Sequence, residues 1–109
     1  SQNCNLVNRG VTHYNAFMIK GFRHKGVKKF FETGSKKGIQ PGHAEKLSRQ
    51  LTVLNEADKV DDMDFPGWDL HPLKGNLKDH WSISVNGNWR MTFMFENGDA
   101  WLVDYQDYH

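Results

Sequence analysis

The stretch WSISVNGNWRMTFMFENGDAWLVDY, residues 81–105, decides the fold. Trp81, Ile83 and Val85 alternate with Ser82 and Ser84. Trp89, Met91, Phe93 and Phe95 alternate with Arg90, Thr92 and Met94. Successive side chains of a strand point to opposite faces, so each run predicts a half-buried β-strand. Asn86-Gly87 and Asn97-Gly98 separate the runs, and Asn-Gly is a strong hairpin signal. Residues 80–85, 89–95 and 100–105 are therefore expected as three antiparallel strands. Residues 68–72 are expected as a fourth beside them, ended by Pro72 and the turn at Gly75.

Upstream the period changes to that of a helix. Val27, Phe30 and Phe31 share one face of residues 24–33, with Gly34 placed to cap the end. Ala44, Leu47, Leu51 and Leu54 make a continuous apolar stripe along residues 43–57. These stripes need a partner, and one face of the sheet is the one available. Trp81, Ile83, Met91 and Phe93 should meet the helices, leaving Ser82, Ser84, Arg90 and Thr92 on the other face. Residues 18–22 read as a first strand. The expected class is α+β, in the order β-α-α-β-β-β, with two N-terminal helices on one face of an antiparallel sheet.

A chain of 109 residues has room for one modest core. Its 13% aromatic content supplies large buried surfaces from few residues. No apolar run reaches the roughly 20 residues needed to span a bilayer. Residues 1–17 show no period and lack the basic-then-apolar pattern of a signal peptide. We read them as a flexible leader or a cloning remnant, with the domain proper at 18–109. The single cysteine, Cys4, excludes an internal disulfide, and a reducing cytoplasm is the expected setting.

The net charge of +1 hides an asymmetry. Residues 18–50 carry nine Lys or Arg against Glu32 and Glu45, a net of +7, whereas residues 51–70 carry Lys59 against six acids, a net of −5. The basic third can attract a polyanion, with Arg23, Lys25, Lys28, Lys29, Lys36 and Lys37 as candidate RNA or ribosome contacts. Its ordinary reading is a solvated helix face.

The six histidines (13, 24, 43, 71, 80 and 109) form no H-E-x-x-H or H-x-H pair, and there is no Cys-x-x-Cys. Zinc motifs, phosphate loops and nucleophile elbows are all missing, so neither a metal nor a cofactor is expected. What remains is a metal-free set: His71, Lys74, Arg90 and the terminal Asp107, Tyr108 and His109. In the strand 68–72, Asp69 and His71 face away from Trp68 and Leu70. His71 thus joins Arg90 on the polar face, which the last strand allows the chain end to reach.

RNA can be cut by its own 2′-hydroxyl, given a base, an acid and cations near the phosphate. Histidine serves either proton role near neutral pH, and Arg and Lys supply the charge. DNA lacks that hydroxyl. Taken singly, each residue also has an ordinary reading. His71 can be a strand-end histidine with a satisfied hydrogen bond, Arg90 a solvent-facing strand residue and Lys74 a turn residue. The last three can be a frayed tail. Trp81, Trp89 and Trp101 read as core or edge packing, and His24, His43 and His80 as surface or local packing.

Several motifs are similar to the HigB toxins of the RelE/ParE superfamily of bacterial toxin–antitoxin systems. They are Met-Ile-Lys-x-Phe at 18–22, Leu-His-Pro-Leu-Lys-Gly at 70–75, Trp-Ser-Ile-x-Val at 81–85, Asn-Trp-Arg at 88–90, Asn-Gly-Asp-Ala at 97–100 and Asp-Tyr-His at 107–109. The resemblance covers 18–109 and leaves out the leader. It implies a microbial-RNase-like fold with two helices against a curved antiparallel sheet. The implied activity is a ribosome-dependent endoribonuclease that cuts mRNA in the A site of the 70S ribosome. The implied partner is a HigA antitoxin with a helix-turn-helix, through which the toxin meets operator DNA; no membrane is involved.

The resemblance carries catalytic roles onto His71, Lys74, Arg90, Asp107, Tyr108 and His109. His71 and His109 would share the acid and base roles in an unassigned order. Asp107 would orient or charge a neighbour, Tyr108 would hold the base or the phosphate, and Arg90 with Lys74 would stabilise the phosphorane. A negative charge beside an imidazole favours its protonated form, so the α-carboxylate of His109 should do so and a C-terminal tag should impair activity. The alternative reading is a ParE-like protein that binds and inhibits gyrase without cleaving RNA.

Overall fold

A computed structural model describes residues 19–107. Helix α1 spans Lys25–Thr33, and α2 spans Ala44–Glu56. The strands are β1 (His71–Pro72), β2 (His80–Asn86), β3 (Trp89–Glu96) and β4 (Asp99–Asp107), with 3-10 turns at Pro41–His43, Val60–Met63 and Gly75–Leu77. The sheet is antiparallel in the order β1-β2-β3-β4. This is the α+β arrangement expected.

Both helices start and stop for local reasons. His24 caps α1, its Nδ1 accepting from the Val27 N–H at 3.0 Å. Gly34, at φ 82°, ends the helix by donating its N–H to the Phe30 carbonyl at 2.8 Å, and only glycine adopts that left-handed φ without penalty. Pro41 opens the 3-10 turn that leads directly into α2. Leu47, Leu51 and Leu54 along α2 are at most 1% exposed. They pack with Ile83, Met91, Phe93 and Val103 in one core cluster. Burying one such leucine is worth about 1.5–3 kcal/mol, so this stripe contributes more than helix propensity does. Gln50 shares the buried face and donates its Nε2–H to the Ser84 carbonyl at 2.8 Å, tying α2 to β2.

Two predicted strands are shorter than expected. Within residues 68–72 only His71 and Pro72 pair with β2. Asp69 adopts φ 51°, a left-handed kink that breaks the extension. Trp68 stays attached by accepting the Ser84 N–H at 2.7 Å. Within 18–22, Met18 lies outside the described residues. The rest runs parallel to β4 through two separate bridges, Ile19 with Ala100 and Phe22 with Val103. Between them Leu102 of β4 sits at φ 53°, which interrupts a continuous ladder. This segment covers part of the outer edge of β4, which would otherwise present open pairing groups.

The hairpins differ from each other. Asn97 and Gly98 both have positive φ, as a type I′ turn requires. In the first hairpin Asn86 already pairs with Trp89, so the turn residues are Gly87 and Asn88.

Candidate active site

The sheet register builds the polar face row by row. His71 pairs with Ser82, Ser82 with Thr92, and Thr92 with Asp104, one residue from each strand. The next row is Ser84, Arg90 and Gln106. Directly paired residues share a face, so all seven lie on the side away from the helices. Strand spacing and rise put the Cα atoms of His71 and Arg90 about 12 Å apart. That gap suits a phosphate reached by an imidazole from one side and a guanidinium from the other. Ser82 and Thr92 between them are buried, at 0% and 1% exposure.

His71 has a defined tautomer. Its Nδ1 lies 2.8 Å from the Asp69 backbone oxygen. A carbonyl only accepts, so Nδ1 carries a proton, and in the neutral form of the ring Nε2 bears the lone pair. The Asp69 kink that shortens β1 brings that carbonyl back to the ring two residues later. The Asp69 carboxylate stands 3.9 Å from the same nitrogen, and the His71 side chain is 42% exposed. The ring is thus oriented from behind and open in front.

Arg90 is anchored through Nη1, which donates to the Gly87 carbonyl at 2.8 Å, the Trp89 carbonyl at 3.2 Å and Ser84 Oγ at 3.4 Å. The β2–β3 turn therefore holds the guanidinium at the rim of the polar face. Lys74 is exposed and immediately precedes the turn Gly75–Leu77.

The expected convergence is only partial. Asp107 pairs with Trp89, and Met91 pairs with Tyr105. Alternation therefore puts Asp107 on the side of Tyr105 and the helices, not on the face of His71 and Arg90. The bulge of the β3–β4 ladder between Thr92 and Met94, with Leu102 in left-handed geometry, sets this parity. Tyr108 and His109 lie outside the described residues. Sequence reasoning missed Asp104, which stands in the His71 row, 9% exposed, accepting from the Tyr105 N–H at 2.9 Å and from Gln106 Nε2 at 2.6 Å. The signal was the alternation of Asp104 and Gln106 along β4, obscured by the bulge.

The basic candidates Arg23, Lys25, Lys28, Lys29, Lys36 and Lys37 are all exposed. Those of α1 belong to the helical layer, across the sheet from His71, so they cannot line the same groove. His43 and His80 are buried, at 8% and 7% exposure, so the local-packing reading holds for them and the surface reading does not. Among the described residues no group of three or more His, Cys, Asp or Glu is placed to hold a metal ion, and no helix is long and apolar enough to cross a membrane.

The family model described as RelE-like toxin of type II toxin-antitoxin system HigB matches residues 20–109. The chain is 41% identical over 92 residues to the Endoribonuclease HigB of Proteus vulgaris, covering 84% of this chain and all of that protein. It is 34% identical over 94 residues to Toxin HigB-1 of Vibrio cholerae serotype O1, covering 84% of this chain and 98% of that protein.

Proposed function

Since the chain belongs to the HigB-like family of RelE-type toxins of type II toxin–antitoxin systems, we infer that it is an endoribonuclease that cuts mRNA on the ribosome. The observation that carries this reading is His71: its Nδ1–H is committed to the Asp69 carbonyl at 2.8 Å, and Nε2 is left as a proton acceptor on the face that bears Arg90. His71 takes the proton from the 2′-hydroxyl, whose oxygen attacks the adjacent phosphorus. The bond from phosphorus to the 5′-oxygen breaks, and His109 donates a proton to that leaving oxygen. The products are a 2′,3′-cyclic phosphate and a free 5′-hydroxyl. Arg90 and Lys74 offset the charge that builds on the phosphorane oxygens. Asp107 and Tyr108 orient His109.

The basic residues of the helical layer would hold ribosomal RNA while the polar face takes the message. The partner in the cell would be a HigA-type helix-turn-helix antitoxin, which also brings the toxin to operator DNA.

The test is cleavage of ribosome-bound mRNA by the purified protein, with 5′ ends mapped. Discrete cuts leaving 2′,3′-cyclic phosphate ends are expected. His71→Ala and His109→Ala should each lower the rate roughly 10²–10⁴-fold, as loss of a proton-transfer group does. Intact mRNA together with inhibited gyrase supercoiling would sink this reading.

A further inference from the structure

Tyr105 has no part in the chemistry above, yet four residues from three parts of the fold meet on its side chain. It is 4% exposed on the helix side of β4. Trp89, at the start of β3, stacks on it with centroids 4.5 Å apart and planes 29° apart. His43, the last residue before α2, places Nδ1 2.6 Å from the phenol oxygen. The Gln40 backbone N–H donates to the same oxygen at 3.3 Å. His24, the cap of α1, meets the ring edge-on at 5.3 Å. His43 is itself edge-on to Trp89 at 5.6 Å. The starts of both helices and of β3 are thus braced on one side chain near the end of β4.

That end needs bracing. The parallel bridges on the outer edge of β4 stop at Val103. Further on, β4 pairs with β3 through Asp104, Tyr105, Gln106 and Asp107. A strand end held by a ladder on one side frays readily. Tyr105 lies just two residues before Asp107, and its phenol feels the Asp107 carboxylate. The phenol, whose ordinary value of 10.0 is raised further by burial, keeps its O–H near physiological pH and can hydrogen-bond His43.

We propose that Tyr105 is a positioning residue: through its hydrogen bonds to His43 and Gln40 it fixes the end of β4 at Asp107, the residue from which the chain continues to Tyr108 and His109. This rests on the functional reading above, in which His109 is the acid. A misplacement of about 1 Å in a reacting group can cost on the order of 10²-fold in rate, so removing the strut should appear in turnover.

The test is single-turnover cleavage of ribosome-bound mRNA by Tyr105→Phe, His43→Ala, His109→Ala and their pairwise combinations, at a temperature where melting curves show each folded. Tyr105→Phe keeps the ring on Trp89 and removes only the hydroxyl. Its cleavage rate should fall about 10–100-fold while half-saturation by ribosomes stays within about twofold. His43→Ala removes the same bond from its other end and should match it, with little further loss in the double variant. On the His109→Ala background, Tyr105→Phe should cost nothing more, because the group it positions is gone. Full activity of Tyr105→Phe beside an inactive His109→Ala overturns this proposal alone, as do losses that simply multiply. Full activity of His109→Ala overturns the functional reading itself.

Discussion

Gly26 and Gly38 pack backbone against backbone: a Cβ built on Gly26 would lie 2.7 Å from the Gly38 carbonyl oxygen and 2.8 Å from its Cα, and one built on Gly38 would lie 2.6 Å from the Gly26 Cα. This close approach seats the first turn of α1 on the loop that leads to α2. It explains how His24 and His43 come to share the ring of Tyr105.

Gly26→Ala should therefore destabilise the fold. Alanine in a helix gains about 0.5–1 kcal/mol over glycine, but overpacking against backbone costs about 1–3 kcal/mol. The clash wins, and the urea midpoint should fall. Gly42 has nothing within 4 Å of a built Cβ. Gly42→Ala should stay within about 0.5 kcal/mol of the parent. Equal midpoints for Gly26→Ala and Gly42→Ala would remove the close approach from the account.

Arg90→Lys should not preserve activity. The guanidinium uses Nη1 to grip the β2–β3 turn, and its planar fork carries further N–H donors on Nη2 and Nε. A lysine keeps the charge and loses the fork. Loss of a donor to the developing charge costs about 10²–10³-fold in turnover. Cleavage kinetics check this, with melting temperature as the control for folding.

Charge reversal on the helical layer should act on binding and not on chemistry. Lys28 and Lys29 are exposed on α1, across the sheet from His71. Lys28→Glu with Lys29→Glu should raise the ribosome concentration needed for half-maximal cleavage and leave the saturated rate intact. For every phosphate that a lysine no longer neutralises, the logarithmic salt dependence should flatten by about 0.7–1. An unchanged salt slope would exclude these lysines from the interface.

Tyr105 also sets a limit on alkaline stability. Burial raises its phenol above the ordinary value of 10.0; the Gln40 N–H opposes the rise, and the Asp107 carboxylate adds to it. In the unfolded chain the phenol ionises first, while the folded chain still holds its proton. The contribution of the protonated phenol is complete below pH 10.0 and is lost as pH rises through the higher folded value. The melting temperature should fall across that window, and Tyr105→Phe should flatten the fall. The same slope in both proteins would assign it to other groups.

Much of this molecule is legible in its side-chain periods. The alternation of Trp81 to Phe95, the two Asn-Gly steps and the stripe from Ala44 to Leu54 are local patterns, and strands and helices follow from local sterics and burial. The same alternation puts His71 and Arg90 on one face without any knowledge of register. The resemblance of the motifs to the HigB toxins is also a matter of sequence alone.

Tertiary structure decided the rest. The left-handed Asp69 shortened β1 and turned its carbonyl onto His71, which selects the tautomer. The bulge near Leu102 set the parity of β4, moving Asp104 into the His71 row and Asp107 to the helix side. The glycine packing and the Tyr105 brace join residues 12 and 62 positions apart in sequence. A period of two is blind to a single inserted residue, and a backbone kink has no hydrophobic signature. Such features are settled only when strands pair and helices dock, because the energy that selects them is shared between distant parts of the chain.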